Sequence, residues 1–192
     1  MGQHWGSGDA GSAREYRMVR LCGRIEVVDV LEETTRRLWD AAVGRWHGRG
    51  EEIATFPPMR LWRSAVQDGA PAGLMTPTLF ARRTAAGDAP YCAGPGARLA
   101  AAIMLLTGAP TAAVDRGCAL FEVTIATIHG DHGDTALDIA RAVYTSAGAD
   151  PILRDDTVCR WTGTAVPVPA RPPAPSSKGP AIAGHSRLEE VR

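Results

Sequence analysis

The chain has 192 residues, the length of one domain with loose ends rather than of two domains. It carries 21 Lys and Arg against 21 Asp and Glu, so the formal charge is zero, and the basic excess usual in a polyanion binder is missing. Hydrophobic residues make up 45% of the sequence, enough for a core and too many for a wholly disordered chain.

Residues 1–14 are rich in glycine and carry almost no apolar pattern, so they read as a disordered segment; they also lack the cationic start and apolar run of a signal peptide. A folded body over 15–163 follows. From Tyr16 to Val28 the residues alternate: Val19, Leu21, Ile25 and Val27 share a face with Gly23, while Arg20, Arg24 and Glu26 take the other. This predicts a half-buried strand with a bulge candidate at Gly23. Asp29 and Glu32 form a pair resembling a capping box, opening a helix whose stripe is Leu31, Thr35, Leu38, Trp39, Ala42 and Trp46, down to Gly48.

Residues 48–75 read as irregular, with one helical turn over Met59–Val66, and Thr78–Arg83 reads as a short strand. Gly94-Pro95-Gly96 opens a helix over Ala97–Thr107, apolar nearly all round and therefore buried, which Gly108-Ala109-Pro110 ends. Cys118–His129 is the clearest strand, with Phe121, Val123, Ile125 and Thr127 on one face. A glycine-containing loop leads to a helix over Thr135–Ala147, and a last strand covers Thr157–Trp161. Residues 164–192 hold six prolines between Pro167 and Pro180 and read as a disordered Pro-rich tail. The order of elements fits a single α+β domain with a mixed or antiparallel sheet and helices packed on one face; an open α/β sheet is the alternative.

The longest uncharged apolar stretch, Leu99–Val114, is interrupted by Gly108 and Pro110 and falls short of the roughly 20 residues a membrane span needs. Cysteines at 22, 92, 118 and 159 form no CxxC motif. Together these predict a cytoplasmic protein with reduced thiols and with neither membrane nor nucleic acid as partner. The 20 arginines against the single Lys178, with no asparagine, have the bias of a GC-rich bacterial genome and carry no functional meaning by themselves.

Chemistry concentrates in His129-Gly130-Asp131-His132-Gly133-Asp134. Strand parity puts His129 where the buried face meets the loop. There desolvation and a neighbouring carboxylate tune an imidazole for proton transfer, with His132 as a second acid/base group and Asp131 orienting either ring. Turn and cap chemistry accounts for the same residues, since Asp134 is placed to cap the next helix. No separate third ligand accompanies the two histidines, so no metal is expected. The second candidate is the loop around Gly94 and Gly96. Free N–H groups at a helix start can hold an anion, and Arg98 in the first turn adds charge. It is neither GxGxxG nor a P-loop, so no nucleotide and no organic cofactor are expected. Trp62, in the irregular segment, is the tryptophan expected to line a pocket.

Two functions fit. One is a small cofactor-independent enzyme doing isomerase, lyase or cyclase chemistry on a small anionic metabolite, in the setting of bacterial specialised metabolism. Its catalytic groups would be His129, His132 and Asp131, with Arg98, Gly94, Gly96 and Trp62 binding substrate, and self-association left open. The other is a non-catalytic binding or regulatory module that engages a protein partner.

Overall fold

The computed structural model describes residues 15–116, 119–128 and 132–160. The expectations for the two ends, for His129 and Asp131, and for Cys118 lie outside these residues. The chain begins with strand β1 (Glu15–Arg24) and helix α1 (Val28–Trp46). Three helices follow, α2 (Glu52–Thr55), α3 (Pro57–Gln67) and α4 (Thr76–Ala85), with a 3-10 turn (Ala72–Met75) before the last. Helix α5 (Gly94–Thr107), strands β2 (Thr111–Asp115) and β3 (Leu120–Thr127), helix α6 (Gly133–Ser146) and strand β4 (Ile152–Arg160) complete it.

The four strands form one antiparallel sheet in the order β2-β3-β1-β4. Strands β1 and β2 run parallel with β3 between them, and β3 and β4 run parallel with β1 between them. Two split β-α-β units therefore interlock, the plan of β-α-β-β-α-β domains, with α2, α3, the 3-10 turn and α4 inserted into the first crossover. The fold is α+β.

Alternation decides which face of the sheet is covered. Val19 and Leu21 of β1 and Phe121, Val123 and Ile125 of β3 point to the helices, meeting Leu31 of α1, Leu99 and Ile103 of α5, and Leu137, Val143 and Tyr144 of α6. Helix α5 is buried on nearly every side, as its composition predicts, because a second cluster lies behind it. There Ala102 and Leu105 meet Ala42 and Trp46 of α1, Ile53 of α2, Met59 of α3 and Ala81 of α4. The Trp46 indole N–H donates to the Leu105 carbonyl at 2.6 Å and ties the two long helices together.

Several local expectations are revised. No side-chain cap hydrogen bond opens α1. Asp29 lies inside its first turn, where its charge favours the positive helix end, and Val27 is the capping position. Gly94-Pro95-Gly96 is the first turn of α5 rather than a loop before it. Segment 48–75 is mostly helical: Pro57 and Pro58 sit at the start of α3, where proline fits, and Pro58, Met59, Trp62 and Ala65 are buried at helical spacing. Thr78–Arg83 is helix, not strand. Thr78, Ala81 and Thr84 are buried at a spacing of three, and the Thr84 hydroxyl donates to the Phe80 carbonyl. Strand β2 was not foreseen, because Thr-Ala-Ala-Val-Asp has neither β-rich composition nor clear alternation. Gly23 is not bulged. It pairs with Phe121, and the register slip falls instead between Arg20 and Leu21 against β4.

Candidate functional site

The face of the sheet turned away from α1, α5 and α6 is only partly covered. Helix α3 and the 3-10 turn curl onto one end of it, where Trp62, Ala65 and Ala70 pack on Ala126 and Ile128 of the β3 end, with Tyr16 and Leu74 alongside. Between that insertion and the sheet lies a cavity of about 320 Å³. Its floor is Met18 of β1, Thr124 and Ala126 of β3 and Ala112 of β2, with Met18 opposite Ala126 and Ala112 opposite Thr124 across the ladders. Short side chains at 112, 124 and 126 leave the hollow. Tyr16, Met104 of α5, and Gly73, Leu74 and Thr76 of the insertion also line it.

The lining is predominantly apolar. The hydroxyls of Thr76 and Thr111 donate to the carbonyls of Gly73 and Ala109, at 2.5 and 2.9 Å. Tyr16 is the one titratable group among the described lining residues. Burial, together with a hydrogen bond that the phenol donates to the Cys159 sulfur across the β1–β4 ladder, pushes its pKa above the ordinary range, so it stays protonated.

Beyond the hollow the same face turns charged. Arg20 lies directly across from Thr124, and its guanidinium reaches Glu122 at 3.6 Å and Asp155 at 3.7 Å. Neither distance is a hydrogen bond, and the Arg20 Nε is buried without a partner. Arg116 holds Glu122 more closely, at 3.0 Å, and keeps that carboxyl below the usual glutamate range. Arg20 does not line the hollow; it adjoins the hollow through its cross-strand neighbour Thr124, with its guanidinium held loosely by two carboxylates.

The residues singled out in the sequence are not gathered at this cavity. His129 and Asp131 fall outside the described residues. His132 precedes α6 and stacks on Phe56, with ring centroids 6.0 Å apart and planes within 8°. The other flank of that aromatic group is Arg45, 5.0 Å above the Phe56 ring. Arg98 is ion-paired with Glu32 of α1, so its charge is already answered within the protein. Gly96 is a packing glycine: a Cβ there would meet the Phe121 ring at 3.0 Å. Gly94 has φ +82, a conformation that suits the turn into α5. Trp62 is fully buried against Tyr16, at 6.2 Å between ring centroids, and stands behind the cavity wall rather than lining it. Burial pushes the Cys92 thiol up, away from nucleophilic thiolate character. Among the described residues no group of three or more metal-ligating side chains occurs, and no helix is long and apolar enough to cross a membrane.

Reasoning from the sequence missed Met18, Thr124, Ala126 and Ala112. The signal was present in part, since Arg20 takes the polar face of its strand. What could not be read was that residues around a 3-10 turn some fifty residues away would line the same hollow. Comparison with known proteins finds no matching family model, no matching curated protein and no matching solved structure.

Proposed function

We propose that the protein is a binding domain for a small molecule with an apolar body and one anionic end. The observation that carries this reading is the hollow of about 320 Å³ over Met18, Thr124 and Ala126, with Arg20 next to Thr124 at its charged end. A small, mostly apolar concavity with a few convergent polar groups is the usual form of such a site. The Arg20 side chain is 40% exposed, and an anionic end beside Thr124 would displace the long contacts of its guanidinium to Glu122 and Asp155. Among the described lining residues Tyr16 is the one titratable group, which offers a hydrogen-bond donor to a ligand rather than a paired acid and base.

The test uses the apolar fluorophore 1-aminoanthracene, displaced by octanoate or by octanol. Ala126→Phe fills the hollow and should abolish fluorophore binding while leaving a cooperative thermal transition. Arg20→Gln should weaken octanoate by roughly ten-fold, as for loss of one charged hydrogen bond, and leave octanol unchanged. Undiminished fluorophore binding by folded Ala126→Phe would refute the site. Equal effects of Arg20→Gln on both competitors would refute the role of the charged end.

A further inference from the structure

Strand β4 is exposed at every position but the half-buried Cys159, with Val158 58% exposed on the helix side of the sheet, and among the described residues it pairs with β1 alone. Its charges are matched inward by β1: Asp156 with Arg17, Asp155 with Arg20, and Arg160 with Glu15. They therefore guard the outer edge less than free charges would. The register slip leaves Arg154 as the extra residue of a bulge, since Arg20 faces Asp155 and Leu21 faces Leu153. The regular run available at the edge is thus Asp155–Arg160.

We infer that β4 pairs antiparallel with β4 of a second copy of this chain, centred on Val158, to give a two-fold dimer with a continuous sheet. Two-fold symmetry normal to a sheet requires one residue to face itself. Centred on Asp156, two carboxylates would meet. Centred on Thr157, Asp156 would face Val158 and Asp155 would face Cys159, with no charge answered. Centred on Val158, Asp156 faces Arg160 of the partner subunit, twice by symmetry. Val158 then covers its own copy, and Thr157 faces Cys159 of the partner subunit on the other side of the sheet. Charge and apolar complementarity both select this register. A five-residue ladder falls well short of the roughly 1,200 Å² of a stable interface, so association should be weak and dependent on concentration.

Sedimentation velocity of the full chain should show a monomer–dimer equilibrium. Val158→Lys sets two ammonium groups face to face and should abolish the dimer without lowering the monomer's melting temperature. Val158→Cys should form an intermolecular disulfide under mild oxidation faster than Leu79→Cys, a cysteine at a comparably exposed site on α4. A chain that stays monomeric up to its solubility limit and crosslinks no faster at 158 than at 79 overturns the proposal. So does a dimer that Val158→Lys leaves intact. Outward amides of β4 protected from exchange in a monomeric sample would show another segment of the chain on this edge, and would overturn it equally.

Discussion

Gly23→Ala tests how the sheet seats helix α6. A Cβ at position 23 would lie 2.9 and 3.0 Å from Cδ1 and Cε1 of the Tyr144 ring and 3.5 Å from the Pro151 Cα. The ring has nowhere to go. It is fully buried, its hydroxyl donates to the Phe121 carbonyl at 2.8 Å, and the Phe121 ring packs on it at 5.8 Å. Overpacking a filled core costs about 1–3 kcal/mol, while replacing a strand glycine with alanine returns about 0.5–1 kcal/mol. The net expectation is destabilisation by about 1–2 kcal/mol, read as a Tm lower by roughly 2–4 °C per kcal/mol at this chain length. Tyr144→Ala alone should cost about 3–5 kcal/mol. In that background Gly23→Ala has nothing to strike and should be neutral or stabilising, a coupling of about 1–3 kcal/mol. Urea and thermal unfolding of the two single variants and the double variant measure it. Additive costs, or a Gly23→Ala protein as stable as the parent, would refute the close approach of strand and ring.

Other expectations follow from burial and charge. Leu99→Asp puts an unpaired carboxylate at a fully buried position of α5 and should abolish soluble expression, whereas Leu106→Asp, at a half-buried position, should give folded protein with a lowered Tm; equal behaviour of the two would place α5 differently. Glu122 has its folded pKa depressed by Arg116, so its pairing stabilises the fold above the ordinary glutamate range and that contribution is lost as pH falls through the depressed value. Glu122→Gln should therefore flatten the acid limb of Tm against pH, and an unchanged limb in the variant would show that the pair contributes nothing.

Legibility in the sequence followed the strength of the periodic signal. Strands β1 and β3, the stripe of α1 and the buried α5 have long, repeated apolar patterns and lie largely where those patterns place them; Val27 is the exception, exposed beyond the end of β1. The helix at Thr76–Ala85 differs from the expected strand because Thr-Leu-Phe is a short β-favouring run, too short to show a period of its own. Only the packing of Ala81 against Ile53 and Leu105 shows which period applies. The glycines of α5 show the same limit. A Gly-Pro-Gly run reads as turn chemistry or as an anion cradle, and the sequence does not show that the Phe121 ring, supplied by a strand some twenty-five residues later, packs where a Cβ of residue 96 would lie.

The sequence by itself determined the α+β class and most of the residues that fill the core between helices and sheet, because burial writes a local period into each element. Strand order, the pairing of Arg98 with Glu32, the meeting of the 3-10 turn with Thr124 and Ala126 around one hollow, and the place of β4 at the edge of the sheet among the described residues were decided only in the tertiary structure. Each depends on which distant segments meet. Such meetings are fixed by the summed packing of the whole chain, and no short window of residues records them.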